Sequence, residues 1–224
     1  MFENDAPESK SARTRARISA AAIDSFIERG YADTTMRLIA EKAEVSVSNA
    51  YYYFPSKNHL VQDLYVRVQR EHADAAHRLL AEQRGLVDRL RVVFETGLSA
   101  LVPYQRSAPG FLTAMIAPDS PINPLSAESE PARDMTVGLF REAVDGAQHR
   151  LPADVADLLP EALFVSYLAL VLRWTYDGSR DQEKTSRMLD AGLRLLAIAL
   201  PFVRMPGVHA TTRELLRLVT EVRS

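Results

Sequence analysis

Apolar residues recur at three- and four-residue spacing along nearly the whole chain, and the strict alternation of a half-buried strand is almost absent. The pattern predicts an all-α protein. Its first clear stripe is Ile18, Ala22 and Phe26, with Ile23 and Ile27 beside it, on a helix beginning near Arg13. Gly30 is expected to close that helix, because a residue without Cβ takes the left-handed turn at the least cost. Met36, Ile39, Ala40 and Ala43 then repeat at helical spacing behind Thr34 and Thr35, hydroxyl residues suited to capping, and predict a short amphipathic helix. After a break at Glu44 and Val45, Ser46 can cap a second short helix that runs through Tyr53 and ends at Phe54 and Pro55. Ser56 is expected to cap a long helix from Lys57 to about Leu80, buried along Leu60, Leu64 and Val68 with Val61 and Tyr65 beside them.

Further helices are expected at 85–101, 108–116, 128–148, 153–176, 182–203 and 211–222. Half of the twelve prolines lie between Val102 and Ala132, so this is the least regular part of the body. Ser179 with Gln182 fits a capping box. Residues 1–12 have no periodic pattern and are expected to form a flexible tail. The start of the chain has no apolar stretch after its charges and does not read as a secretory signal. The most apolar windows, 162–172 and 193–203, are shorter than the roughly 20 residues of a spanning helix. They read as core helices, so a cytoplasmic location and no membrane partner are expected.

The net charge of −2, from 27 Lys and Arg against 29 Asp and Glu, supplies no bulk field for nucleic acid. The distribution changes that picture. Between Lys10 and Leu60 there are eight basic and five acidic residues, a local +3 that dimerisation would double. With no cysteine, disulfides, thiolate metal sites and cysteine nucleophiles are excluded. The five histidines lie apart, without metal spacing, and there is no G-x-S-x-G elbow and no phosphate loop. No enzyme activity, catalytic residue, metal or cofactor is expected.

Two short helices joined by a tight turn, the second polar at its start and aromatic at its end, outline a helix-turn-helix. In that arrangement the second helix inserts its N-terminal residues into the major groove, where short hydrogen-bonding side chains are needed; Ser46, Ser48 and Asn49 qualify. Tyrosines one turn later can reach phosphate oxygens with their hydroxyls. Adjacent helical residues point about 100° apart, so Tyr51, Tyr52 and Tyr53 cannot all be buried; Tyr51 or Tyr52 is expected to face DNA and Tyr53 the core. Arg13, Arg15 and Arg17 are either a solvated helix start or an arm that meets phosphates.

The stretch IAEKAEVSVSNAYYYFPSKNHL, preceded by Gly30-Tyr31 and Thr34-Thr35, resembles the DNA-binding domain of the TetR family of bacterial transcriptional regulators. The resemblance implies DNA contacts from Thr35 and Arg37, from Val47, Ser48, Asn49, Tyr51 and Tyr52, and a phosphate contact from Lys57. It also implies a homodimer joined through a four-helix bundle of the last two long helices of each chain. Glu44 departs from the glycine usual in the family's turn, at a cost of roughly 1 kcal/mol if the turn needs a positive φ. Ala50 is smaller than the family's leucine, and Tyr53 replaces a frequent histidine.

The resulting architecture is an N-terminal three-helix helix-turn-helix head, residues 13–58 after the tail at 1–12, on a larger helical ligand-binding and dimerisation body, 59–224. Tyr104, Phe111, Met115, Phe140, Phe164 and Tyr167 belong to a pool of bulky apolar groups around the proline-rich region, where pockets open between helices. They are the candidate contacts for a small apolar effector. The expected function is that of a homodimeric repressor released from a palindromic double-stranded DNA operator by that effector. A helical lipid-binding or adaptor protein without DNA-binding activity would explain the apolar body but not the sequence from Ser46 to Lys57.

Overall fold

A computed structural model of the chain describes residues 9–105, 108, 109, 111, 115, 117 and 120–221. Among these residues there are nine α-helices and no strand: α1 (Lys10–Asp33), α2 (Met36–Lys42), α3 (Val47–Tyr53), α4 (Lys57–Leu80), α5 (Leu86–Leu101), α6 (Glu130–Asp145), α7 (Ala153–Thr175), α8 (Glu183–Ala199) and α9 (Pro206–Thr220). Short 3₁₀ turns lie at Val102–Tyr104, Arg180–Gln182 and Leu200–Phe202. The helix expected at 108–116 falls largely outside the described residues, as do residues 1–8 of the expected tail.

Several boundaries move for local reasons. Helix α1 starts at Lys10 rather than Arg13, because Ser9 Oγ accepts the Ala12 N–H at 3.1 Å, so residues 10–12 are helical. Gly30 breaks the helical backbone as expected, with φ 82° and ψ 168°, a region that only glycine occupies freely. Three more residues still form a final turn. Helix α9 begins at Pro206 rather than near Thr211, since proline at the first helical turn forfeits no hydrogen bond.

Two expected caps are replaced. Ser56 stands at the start of α4, but its Oγ pairs with His59 Nδ1 at 2.8 Å instead of with backbone. The capping box at Ser179 and Gln182 does not form. Asp177 takes its place, accepting the Thr185 N–H and Oγ1–H at 2.7 Å each and the Ser179 Oγ–H at 2.5 Å. Hydrogen bonds from Ser179 and Thr185 hold the Asp177 carboxyl well below the usual carboxylate range.

The helices enclose two cores. In the head, Ile18, Ala22, Phe26, Ile39, Ala40, Ala50 and Phe54 close over Leu60, Val61, Leu64 and Val68 of α4. Ile27, expected beside that stripe, is exposed. The body core gathers the far end of α4, at Ala76 and Leu80, with α5, α6 and α7. Helix α4 thus belongs to both cores, so a shift of its axis is felt in each. Asp63 fastens it to α1, accepting from Arg15 Nη2 at 2.6 Å and Ser19 Oγ at 2.7 Å.

Arg89 pins the other end. Its buried guanidinium donates to the carbonyls of Leu80, Gln83, Glu142 and Ala143 at 2.6–2.9 Å, where α4 and α6 end with unsatisfied oxygens. By length and composition α7 is sufficient to cross a bilayer, which the shorter window counted in the sequence understates. Val155, Phe164, Tyr167, Leu170 and Trp174 are nevertheless buried in the protein, as in a core helix.

Candidate nucleic-acid interface and ligand cavity

Helix α3 is held by local capping and by its inner face. Ser46 Oγ accepts the Asn49 N–H at 3.1 Å, and Thr35 Oγ1 accepts the Leu38 N–H at 3.2 Å at the start of α2. Ala50 and Phe54 are buried, which turns Val47, Ser48, Tyr51 and Tyr52 outward on one side. Tyr52 is 80% exposed and Tyr51 49%, an unusual display for aromatic side chains on a seven-residue helix. Asn49 is half-buried, and Thr35 and Arg37 are exposed at the head of α2. Tyr53 is half-buried, stacked edge-on against Tyr52 with ring centroids 5.2 Å apart, and its hydroxyl meets Ser11 Oγ at 3.2 Å. The aromatic triplet therefore splits as the helical geometry requires.

The turn before α3 settles the question raised by Glu44. Its φ is 53°, the left-handed region, and its side chain is exposed. The strain is therefore real, on the order of 1 kcal/mol, and a negative charge stands at the edge of the outward face.

Lys57 is placed differently from a free phosphate ligand. Its ammonium donates to Tyr31 O at 2.6 Å and to Ala32 O at 3.5 Å, and lies 4.1 Å from the Tyr31 ring centroid. Burial lowers its pKa. The side chain clamps the end of α1 to the start of α4, and the Tyr31 hydroxyl adds a hydrogen bond to Asn58 Oδ1. Arg15 is likewise engaged, by Asp63 and by the Phe54 ring at 4.7 Å, whereas Arg13 and Arg17 are exposed on helix α1.

Below the head lies a cavity of about 150 Å³, walled by α4, α6 and α7, by the end of α5 and by Phe111 and Met115. Of the residues expected to meet an effector, Tyr104, Phe111, Met115, Phe164 and Tyr167 line it. Phe140 does not. It is fully buried behind Tyr167, its ring 5.0 Å from Phe94 and 6.4 Å from Tyr167, and it is a core residue. Sequence reasoning missed Gln69, Arg133, Thr136 and Trp174 in the wall. A signal existed for Arg133: it is the one charged residue on the side of α6 that carries Ala132, Thr136, Val137 and Phe140.

The wall is continuous with the head. Phe111 packs edge-on against Phe26 at 5.3 Å and lies 6.0 Å from Tyr31. From α4, Leu64, Tyr65 and Val68 face the space, and the Tyr65 hydroxyl donates to Ile122 O at 3.0 Å. Behind Tyr167 the buried His72 donates its Nε2–H to Val93 O at 2.9 Å, and burial pushes its pKa down to about 4. Its Nδ1 faces the Gln69 side-chain amide at 3.1 Å. Gly97 lets Tyr167 and His72 approach: a Cβ there would stand 2.8 Å from Tyr167 Cε2 and 3.0 Å from His72 Cε1.

Two family models match the chain. Residues 18–64 match the family described as bacterial regulatory proteins, tetR family, and residues 89–202 match the tetracyclin repressor-like C-terminal domain. An HTH-type transcriptional regulator of Mycobacterium bovis is 44% identical over 55 residues, covering 25% of this chain and 26% of its own. The HTH-type regulator RutR of Escherichia coli K12 is 44% identical over 64 residues, 29% of this chain and 28% of its own. Both matches span little more than a quarter of those relatives.

Over the whole fold, the TetR-family repressor FadR of Thermus thermophilus, solved with lauroyl-CoA, has a TM-score of 0.57 at 25% identity, covering 82% of this chain and 93% of its own. A TetR regulator of Nitrosomonas europaea superposes with a TM-score of 0.64 at 19% identity, covering 83% and 98%, which shows the shared fold. With an outward-facing recognition helix, a helical body and two family matches along the chain, the chain belongs to the TetR family of transcriptional regulators, with a helix-turn-helix DNA-binding domain.

Proposed function

We propose that the protein is a homodimeric, ligand-responsive repressor of the cytoplasm. Residues 13–58, extended to Lys10 by the start of α1, form the DNA-binding domain, and 59–224 the effector-binding and dimerisation domain. Val47, Ser48 and Asn49 meet base edges from the N-terminal turn of α3, Thr35 and Arg37 add contacts from α2, and the Tyr51 and Tyr52 hydroxyls take phosphates. Lys57 acts as a positioning residue, fixing α1 against α4. The observation that carries this reading is that one helix, α4, starts beneath the recognition helix and passes along the wall of the cavity.

Exposed Leu172 on α7 and exposed Met188, Leu195 and Ile198 on α8, with Phe202 just beyond, supply apolar surface for a bundle with a second copy. Two heads joined there would enter successive major grooves about 34 Å apart, on a roughly palindromic operator. A small effector in the cavity, pressing on α4 and on Phe111, changes that spacing. The coupling is the difference in effector affinity between the two head arrangements, typically ~1–3 kcal/mol. That the Thermus FadR is solved with lauroyl-CoA supports an effector with an apolar part.

The test is operator binding after selection from random DNA. Arg37→Ala and Tyr52→Ala, both at exposed positions, are each expected to weaken binding by at least about fivefold, and Arg37→Ala to lower the salt dependence by about one ion. Wild-type affinity in both variants, with unchanged thermal midpoints, refutes the assignment.

A further inference from the structure

Three buried polar side-chain atoms lack a hydrogen-bond partner among the described residues: Arg133 Nε, Tyr167 OH and Trp174 Nε1. All three residues line the same cavity. Each atom carries a hydrogen to give, and the arginine and indole nitrogens can only donate. Unpartnered donors on residues that wall a cavity favour a ligand that brings acceptor oxygens.

Arg133 narrows the choice. It is 5% exposed, and it is the only charged side chain among the described lining residues. Its Nη1 reaches two backbone oxygens, of Ser126 at 2.9 Å and Pro124 at 3.3 Å, and no carboxylate lies within ion-pair distance of it among the described residues. A buried guanidinium without a counter-ion is costly, so an anion entering this space is strongly favoured over a neutral molecule of the same shape.

Position and volume give the rest of the ligand. Helices α6 and α7 are consecutive and joined by a short connection, so they pack antiparallel. Phe140 lies against Tyr167, and counting seven residues along each antiparallel helix puts Arg133 and Trp174 at one level of the helix pair. Both residues belong to the cavity wall. Tyr167 stands two turns away on α7, roughly 10 Å along the axis, with its hydroxyl turned towards Gly97 of α5. Phe111, Phe164, Leu168 and Val171 add apolar surface to the same wall. The volume, about 150 Å³, is comparable to an engineered apolar cavity that accepts benzene.

We propose that the effector is a compact apolar carboxylate of about one ring or a short acyl chain, its anionic oxygens held by Arg133 Nε–H and Trp174 Nε1–H. The inference rests on the effector reading of the cavity but not on DNA binding. It differs from an acyl-CoA held by its acyl end, whose thioester carbonyl is itself uncharged.

Trp174 is the sole tryptophan, so intrinsic fluorescence of the full-length protein reports on the site directly. Titrations with benzoate, phenylacetate, octanoate, benzamide and lauroyl-CoA, followed by fluorescence and calorimetry, test the proposal. At least one of the three acids is expected to bind, and benzamide at least about tenfold more weakly than benzoate or phenylacetate. Arg133→Met should remove the preference for acid over amide while leaving amide binding in place. Equal affinity of wild-type protein for acid and amide, binding of lauroyl-CoA with none of the acids, or no binding by any compound overturns it. Those comparisons use the wild type, so they stand even if Arg133→Met fails to fold. An acid that binds but leaves the operator complex intact supports the inference and refutes the release mechanism proposed above.

Discussion

Gly97 offers a sharp test of how closely the cavity wall is packed. Replacing it by alanine has two opposing effects. Inside α5 the exchange removes glycine's excess backbone freedom, which by itself stabilises by about 0.5–1 kcal/mol. The new Cβ, however, would stand 2.8 Å from Tyr167 Cε2, 2.9 Å from its hydroxyl and 3.0 Å from His72 Cε1, where carbon atoms prefer about 3.5–4.0 Å. Tyr167 cannot retreat into the core, because the Phe94, Phe140 and His72 rings already surround it with centroids 6.1–6.4 Å away. Its free side is the cavity. Overpacking of this kind costs about 1–3 kcal/mol, so Gly97→Ala should be destabilised by up to about 2 kcal/mol net.

Gly138→Ala is the control, since Gly138 lies in α6, is exposed, and has no atom within 4 Å of a built Cβ. It should gain about 0.5–1 kcal/mol. Thermal melts at one protein concentration should therefore separate the two variants by about 1–3 kcal/mol, or roughly 2–12 °C for a chain of this length. Gly97→Ala should also lose affinity for cavity ligands as Tyr167 is pushed inward. Equal stabilisation of both variants would show that the wall yields freely, and the account of Tyr167 as a fixed wall residue would fail.

Other outcomes follow from single features. Glu44→Gly should stabilise the protein by up to about 1 kcal/mol by relieving the positive φ, and Glu44→Gln, which keeps the strain, should raise operator affinity alone; denaturant titration and DNA binding separate the two effects. His72 has its pKa lowered to about 4 by burial, so the fold favours its neutral form. That contribution is complete above the unfolded value of about 6.5 and is lost as pH falls towards 4, up to about 3 kcal/mol in all. Stability measured across that window should fall with pH in the wild type and stay flatter in His72→Gln. Leu195→Glu with Ile198→Glu, at exposed positions on α8, should shift the protein to monomers in sedimentation and weaken operator binding; a dimer that survives both charges places the interface elsewhere.

Much of the head could be read from the chain because its signals are short-range. Thr35 and Ser46 cap helices that begin one residue later, Gly30 breaks the helix that it was expected to end, and the alternation of Ala50 with Tyr51 and Tyr52 follows from helical geometry over a few residues. Lys57 escaped the same reading. Its clamp on the Tyr31 carbonyl joins residues 26 positions apart, and no periodicity reports such a contact. The capping box at Ser179 failed for a related reason: Asp177 accepts the Ser179 N–H at 3.0 Å, and the Gln182 N–H bonds to the Ser179 carbonyl.

The sequence by itself determined an all-helical chain, the order of its helices and a polar, aromatic recognition helix, because each depends on spacing within one helix or on one cap. Tertiary structure alone decided that Phe140 is core while Tyr167 is wall, and that Arg133 is buried with no carboxylate beside it among the described residues. The cavity draws its wall from residues as far apart as Leu64 and Thr175. Its donors are left unpartnered by the packing of α4, α6 and α7 against one another, a property of the space between helices that no one helix encodes.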